Sequence, residues 1–266
     1  MDSRLVHLRT HSGQANTPGL DDDLIQQFLD TDPNLNIALE QAVQNRSKLD
    51  AEIEELLLRL TESEFAMELQ KDYVNFYEPS TVNPYIPLAA KGPWIITAHG
   101  AVIHDNGGYG MLGMGHGPAE VMSSMSESHV MANVMTPSVT HKRFADSIKK
   151  EVGHTRGTCP FNRFICMNSG SESVTVAMRI SDINARIMTD KGGKHEGKKI
   201  WTLALSSGFH GRTDRPASIS SSCLPKYQKK LASFRSRGDV KFVQPNDMKG
   251  ISEVFEEADR EGAFIE

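Results

Sequence analysis

The chain has 266 residues, enough for one large domain or two small ones, and its formal net charge is −5. This acidic balance argues against a nucleic-acid-binding protein, because such proteins usually carry a basic face. The sequence contains no apolar run near the roughly 20 residues that a membrane-spanning helix needs. Its first residues show no apolar stretch of the signal-peptide type. We therefore expect a cytoplasmic protein without nucleic-acid or membrane partners.

Cysteine and histidine spacings do not predict a metal site. The three cysteines, Cys159, Cys166 and Cys223, match no zinc-binding or redox pattern. His7 and His11 are four residues apart, but no further ligand stands at a supporting spacing. We expect reduced thiols and no bound metal.

Residues 1–78 are predicted to form an extension that is disordered at first and then helical. Residues 1 to about 20 are polar and contain Gly13, Pro18 and Gly19, a composition typical of disorder. A short helix is predicted to open at residues 21–23. From about residue 36 to 73, apolar residues recur at steps of three or four, which predicts a pair of amphipathic helices. The apolar stripe covers too few heptads to favour a coiled coil.

Residues 79–266 are predicted to form the start of an α/β domain. Residues 79–93 are expected to be a loop, followed by strands at 94–98 and 101–104 and by helices after Pro118 and Pro137. Strands at 163–167, 200–205, 239–243 and 263–266 then alternate with helices at 171–187, 224–234 and 248–261. This alternation predicts a mostly parallel sheet flanked by helices. Because chain termini normally lie at a domain surface, the apolar strand at the end predicts a domain incomplete at its C-terminus.

A first candidate site is the sequence Asn168-Ser169-Gly170-Ser171-Glu172, named here motif 168–172, between a predicted strand and a predicted helix. The first N–H groups of a helix have no internal acceptor and carry partial positive charge, which suits an anion. Gly170 would allow a phosphate to approach the backbone, and the hydroxyls of Ser169 and Ser171 add donors. Ordinary helix capping explains the same residues without a ligand.

A second candidate site is the sequence Ser206-Ser207-Gly208-Phe209-His210-Gly211-Arg212-Thr213, named here loop 206–213, after the predicted strand 200–205. Ligands of α/β proteins bind beyond the carboxyl ends of strands, so both candidate sites are expected at one edge of the sheet. The ring of Phe209 can stack on a flat cofactor, and the guanidinium of Arg212 can bind a carboxylate. The alternative is a surface turn with a partly buried phenylalanine.

The two motifs, in this order and at this separation, resemble those of the class III aminotransferases. These fold-type I, pyridoxal-phosphate-dependent enzymes include the ornithine, acetylornithine and 4-aminobutyrate aminotransferases. Residues 105–118 also resemble the aspartate–glycine and glycine–histidine–x–proline region of the family. The resemblance covers roughly residues 80–266 and implies the N-terminal portion of the fold-type I large domain, preceded by a helical extension.

The resemblance implies a role for each matching residue. Ser169, Gly170 and Ser171 would bind the cofactor phosphate, the latter two through their N–H groups. Phe209 would stack on the pyridine ring, and His210 would support the surroundings of the ring. Arg212 would bind a substrate carboxylate, and Glu266 resembles the glutamate of a glutamate–proline motif near the cofactor.

The chain also departs from the family pattern. Ser173 stands where the family usually has alanine. The lysine that forms a Schiff base with the cofactor, and the aspartate that pairs with the pyridine nitrogen, are expected beyond Glu266. Lys194, Lys198 and Lys199 lie in a polar, glycine-rich stretch and are interpreted as a solvated connection. No residue of this chain is therefore assigned a catalytic role.

The implied activity is transfer of an amino group from an amino acid or an ω-amino donor to a 2-oxo acid through pyridoxal phosphate. The resemblance also implies a homodimer when the protein is complete. We expect residues 1–266 alone to be inactive. Two alternatives stay open: a non-catalytic fragment or split-protein partner, and a mutase or racemase of the same family.

Overall fold

The computed structural model describes residues 1–74, 85–106, 113–130, 135–235 and 239–266. The chain divides into two compact units, Met1–Ala132 and Asn133–Glu266. The predicted boundary between residues 78 and 79 lies outside the described residues and stays a prediction. No helix in the described ranges is both long enough and apolar enough to cross a membrane.

The first unit combines helices with an antiparallel three-stranded sheet. In this sheet, strand Trp94–Thr97 lies between strands Pro87–Lys91 and Val102–His104. The strands and the first three helices share one core, in which Leu5, Leu39 and Trp94 are buried, and Leu57 and Phe65 belong to a second cluster. The elements are α1 (Ser3–Thr10), α2 (Asp22–Thr31), α3 (Pro33–Arg46), α4 (Ala51–Arg59), α5 (Glu62–Gln70), β1 (Pro87–Lys91), β2 (Trp94–Thr97), β3 (Val102–His104) and α6 (Ala119–Met125).

The prediction of disorder for residues 1–20 is wrong where it covers α1. Leu5 and Leu8 are each 1% exposed, and the Asp2 carboxylate caps the helix by accepting the Arg4 N–H at 2.8 Å. Composition misleads here because two apolar residues, three positions apart, are enough to anchor one short helix on a core. The composition of the whole segment is polar on average and does not reveal these two leucines.

The helical prediction for residues 36–73 is confirmed in type, but the segment forms three helices instead of two. Pro33 begins α3 after Asp32, whose carboxylate caps the helix. Thr61 is the N-cap of α5 and forms a capping box with Glu64. Capping side chains therefore divide into three helices a segment for which the apolar spacing indicated two.

The predicted hairpin at residues 94–104 is confirmed, and an additional strand precedes it. β2 and β3 pair antiparallel around a turn in which Gly100 has a φ of +75°. β1 lies inside the segment expected to be a loop and pairs with β2. Pro87 at the first strand position is compatible with a sheet edge, where a missing N–H breaks no ladder bond.

The second unit has the predicted alternation of strands and helices around a parallel sheet. Strand Lys199–Leu205 lies between strands Val240–Val243 and Ala263–Ile265 and pairs in parallel with both. Helices Gly170–Thr189 and Met248–Glu261 contact the sheet, which confirms a parallel sheet flanked by helices. The elements are α7 (Val139–Gly153), α8 (Gly170–Thr189), β4 (Lys199–Leu205), α9 (Asp214–Ser218), α10 (Leu224–Lys230), a 3₁₀ turn (Ala232–Phe234), β5 (Val240–Val243), α11 (Met248–Glu261) and β6 (Ala263–Ile265).

The strand predicted at residues 163–167 is not formed. These residues carry no ladder pairing, and the side chains of Ile165 and Met167 are 64% and 41% exposed. An apolar run becomes a strand only when a neighbouring strand takes its hydrogen bonds. The three described strands of this sheet pair with one another and leave this segment unpaired.

A polar cluster is buried in the first unit. Glu62, His99 and Arg46 are 0%, 2% and 5% exposed. One Glu62 oxygen accepts the N–H groups of Asn16 and Thr17, each at 2.7 Å. Burial lowers the pKa of His99, Arg46 lowers it further, and the Glu62 carboxylate opposes both. His99 is therefore neutral in the folded protein at neutral pH.

Folding should become less favourable on acidification because of His99. Its pKa is lowered from the ordinary value of about 6.5, so below pH 6.5 the unfolded chain binds more protons than the folded chain. A single group can contribute at most about 1.4 kcal/mol per pH unit. We expect the free energy of unfolding of the first unit to fall more steeply between pH 6.5 and 5 in the wild type than in His99→Gln.

Urea unfolding, followed by Trp94 fluorescence in a Trp201→Phe background, measures this difference. His141→Gln is the control, because residue 141 lies in the second unit and its replacement should not change the pH profile of the first. Parallel pH profiles for the wild type and His99→Gln would refute the assignment of a lowered pKa to His99.

Candidate functional site

Motif 168–172 forms the N-terminus of α8. The Ser169 hydroxyl accepts the Glu172 N–H at 3.3 Å, and the Glu172 carboxylate accepts the Asn168 N–H at 2.9 Å. The N–H groups of Gly170 and Ser171, the first two of the helix, have no intrahelical acceptor. A Cβ placed on Gly170 would meet no atom within 4 Å. The helix N-terminus is thus capped on one side and open in front of Gly170.

Loop 206–213 lies against this helix N-terminus. The Arg212 N–H donates to the Ser171 hydroxyl at 3.1 Å, and the hydroxyls of Thr175 and Thr213 are 3.3 Å apart. Gly211 has a φ of +127°, and a Cβ there would lie 2.4 Å from the Ser171 hydroxyl oxygen. The two motifs meet, although the strand expected before motif 168–172 is not formed.

The side chains of the loop present different chemistry at this place. Phe209 is 57% exposed, and the Arg212 guanidinium carbon lies 5.5 Å from the centre of its ring, which is cation–π distance. The Nε2 atom of His210 is buried and has no hydrogen-bond partner within the described ranges. A Cβ on Gly208 would come within 2.8 Å of that nitrogen. The loop therefore exposes an aromatic face and holds an imidazole tightly against its own backbone.

Glu266 lies farther back along the sheet. Its side chain accepts the Thr202 hydroxyl at 2.9 Å, and its N–H donates to the Trp201 carbonyl at 2.8 Å. Thr202 precedes the last residue of β4 by three residues, about 10 Å of strand. The second carboxylate oxygen of Glu266 is buried and has no hydrogen-bond partner among the described residues. The structure thus places Glu266 beside the middle of β4.

Two of the lysines interpreted as a solvated connection form ion pairs with α11. Lys198 pairs with Asp259 at 3.4 Å, and Lys199 pairs with Glu261 at 3.7 Å. Lys199 is the first residue of β4 and so belongs to the strand instead of the connection. Within the described ranges, no group of three His, Cys, Asp or Glu side chains is close enough to hold a metal ion.

One polar residue at this site was not predicted. Ser220 is fully buried, and its hydroxyl accepts the His210 N–H at 2.8 Å. The sequence offered only a run of three serines at residues 220–222, which is typical of a loop. Burial of one of them depends on the packing of α9, a helix that the sequence analysis did not predict.

Comparison with solved structures identifies the fold as fold type I of pyridoxal-phosphate-dependent transferases. The ornithine aminotransferase of Toxoplasma gondii, crystallised in the presence of oxidised glutathione, aligns with a TM-score of 0.52 and 17% identity. That alignment covers 73% of this chain and 43% of the other. An S-selective transaminase from Arthrobacter sp. with alanine bound aligns with a TM-score of 0.51 and 13% identity, covering 75% and 46%.

The family model for aminotransferase class-III matches residues 76–263. The chain therefore belongs to the class III aminotransferases, a family of pyridoxal-phosphate-dependent enzymes. The acetylornithine aminotransferase of Prochlorococcus marinus subsp. pastoris is 34% identical over 103 residues, which is 39% of this chain and 22% of that relative. The chain spans less than half the length of each of these three relatives.

The contact between Gly211 and Ser171 should not tolerate a side chain at residue 211. Gly211→Ala adds a Cβ that overlaps the Ser171 hydroxyl, and it places a non-glycine residue at a positive φ. We expect a loss of about 2–5 kcal/mol from overlap and backbone strain together. Gly192→Ala is the matched control, because Gly192 also has a positive φ but a Cβ there meets nothing within 4 Å.

Urea unfolding of both variants, followed by Trp201 fluorescence in a Trp94→Phe background, measures the difference. Gly192→Ala should lose only about 1–2 kcal/mol, the cost of left-handed backbone alone. Equal losses in the two variants would show that loop 206–213 does not press against α8.

Proposed function

We propose that the complete protein is an aminotransferase that moves an amino group from an amino acid or an ω-amino donor to a 2-oxo acid, using pyridoxal phosphate. The observation that carries this proposal is the hydrogen bond between the Arg212 N–H and the Ser171 hydroxyl. It joins an open helix N-terminus to a loop that carries an exposed aromatic ring and a guanidinium. We further propose a cytoplasmic homodimer.

The donors of motif 168–172 fit the phosphate group of the cofactor. The N–H groups of Gly170 and Ser171 are unsatisfied within the helix, and the helix dipole favours a negative charge in front of them. The hydroxyls of Ser169 and Ser171 already accept backbone N–H groups, which leaves the proton of each hydroxyl available to a phosphate oxygen. The absence of a Cβ at Gly170 leaves room for close approach.

The side chains of loop 206–213 fit a flat, anionic ligand beside that phosphate. Phe209 offers an exposed ring face for stacking on a pyridine ring. Because Arg212 lies at cation–π distance from Phe209, a carboxylate bound by its guanidinium would be held next to the stacked ring. The unpartnered Nε2 of His210 can serve as a polar neighbour of the stacked pyridine ring.

Bound pyridoxal phosphate would supply the electron sink that lets a proton leave the substrate carbon. The residues of this chain contribute orientation and electrostatics. The α8 N-terminus fixes the phosphate, Phe209 fixes the plane of the ring, and Arg212 fixes the substrate carboxylate, which together limit the reacting groups to a narrow range of geometries.

We propose that residues 1–266 alone do not transaminate, because none of the described lysines is assigned the catalytic role. Lys198 and Lys199 are engaged by carboxylates of α11. Lys241 is held by Glu257 at 2.8 Å and lies 4.0 Å from the centre of the Trp201 ring. The proximity of Glu266 to the cofactor also stays a prediction, because its contacts are with the middle of β4.

A negative charge at the start of α8 should weaken cofactor binding without weakening the helix. Gly170→Asp places a carboxylate where the phosphate is proposed to bind, and a carboxylate in the first turn is itself favourable for a helix. We expect the affinity of the 266-residue chain for pyridoxal phosphate to fall by at least about tenfold, since charge-assisted hydrogen bonds contribute about 1.5–3 kcal/mol each.

Equilibrium dialysis with pyridoxal phosphate and with pyridoxal measures both the affinity and its dependence on the phosphate. Met248→Asp is the control, because Met248 is the first residue of α11 and is 71% exposed. Equal affinity of Gly170→Asp, Met248→Asp and the wild type, or equal affinity for the two ligands, would contradict the proposed phosphate site.

A further inference from the structure

The serine run 220–222, in which Ser220 is buried and Ser222 is exposed, bonds to the backbone of loop 206–213. The Ser222 hydroxyl donates to the Gly208 carbonyl at 3.0 Å. The Ser220 hydroxyl accepts the His210 N–H at 2.8 Å and lies 3.2 Å from the Gly211 carbonyl. Ser220 is the member of this run that contacts the two residues between Phe209 and Arg212.

Ser220 is also tied to the short helix that follows the loop. Its hydroxyl oxygen lies 2.7 Å from the Pro216 carbonyl, so one side chain connects α9 to the backbone of His210 and Gly211. Ser220 is 0% exposed, and water cannot replace these bonds when the hydroxyl is removed. The backbone at residues 210 and 211 therefore depends on this one side chain.

We propose that Ser220 is a positioning residue for the cofactor and substrate groups of loop 206–213. The loop is fixed from two sides. Ser220 holds the N–H of His210 from the buried side, and Ser171 holds the N–H of Arg212 from α8. With both bonds in place, Phe209 and Arg212 are presented beside the α8 N-terminus. This inference rests on the proposed function above, and Ser220 acts through the loop without touching the ligand.

The matched control for Ser220 lies two residues earlier, at the end of α9. Ser218 is also buried, 9% exposed, but its hydroxyl donates to the Arg215 carbonyl at 2.6 Å and stays within α9. Ser220→Ala and Ser218→Ala therefore each remove one buried hydroxyl. Only the first removes a bond to loop 206–213.

The test uses the 266-residue chain and two measurements. In Ser220→Ala, hydrogen exchange of the His210 amide, followed by NMR, should become at least about tenfold faster, because the amide loses its acceptor. The affinity for pyridoxal phosphate should fall by about tenfold relative to Ser218→Ala. Ser220→Cys, which keeps a side chain of similar size but is a weaker hydrogen-bonding partner, should show both changes even if Ser220→Ala does not fold.

The two measurements separate this inference from the proposed function. The positioning role would be overturned if Ser220→Ala or Ser220→Cys shows the same His210 amide exchange rate and the same cofactor affinity as Ser218→Ala. If the wild-type chain binds pyridoxal phosphate no better than pyridoxal, the proposed function fails. The exchange rate of the His210 amide then decides by itself whether Ser220 holds the loop.

Discussion

The hydrogen bond from the Arg212 N–H to the Ser171 hydroxyl is the interaction on which the candidate site depends. It joins residues 41 positions apart in the sequence and brings loop 206–213 against the first turn of α8. Gly211 makes this approach possible, because any side chain there would overlap Ser171. Without the contact, an exposed phenylalanine and an ordinary helix cap would be unrelated surface features.

The site relies on backbone groups more than on charged side chains. The proposed phosphate ligands are two N–H groups at a helix N-terminus, and the loop that carries Phe209 and Arg212 is held by N–H groups bound to two serine hydroxyls. Ligand binding at such a site costs little conformational entropy, because its neutral groups are already fixed by the fold. The guanidinium of Arg212 is proposed to bind the variable part of the ligand, the substrate carboxylate.

Regular elements with their own local signals could be predicted from the sequence. α8 and α11 were predicted at 171–187 and 248–261, and both form close to these bounds, with Ser169 and Asp247 as their N-caps. The two motifs were expected at one edge of the sheet and do meet, but residues 163–167 before the first motif form no strand, so the contact comes from the packing of loop 206–213 against α8. The elements that were predicted correctly depend on short-range patterns.

Features that depend on distant packing could not be predicted. α1 is anchored by Leu5 and Leu8 on a core supplied by other elements, whereas residues 163–167 have a strand-like composition and find no pairing partner. Ser220 looks like a loop residue until the packing of α9 buries it. The hydrogen bond by which Ser169 caps α8 agrees equally with ordinary capping and with a phosphate site, so a ligand-dependent measurement has to separate the two.

That measurement is an NMR titration of the ¹⁵N-labelled 266-residue chain with pyridoxal phosphate, which observes the N–H groups directly. The account predicts that the largest shifts occur at the amides of Gly170, Ser171 and Arg212. The amides of Met248 and Lys249, the first two of α11, should stay unchanged as an internal reference for nonspecific binding at helix N-termini. Shifts of similar size at these two amides, or none at Gly170 and Ser171, would contradict the account.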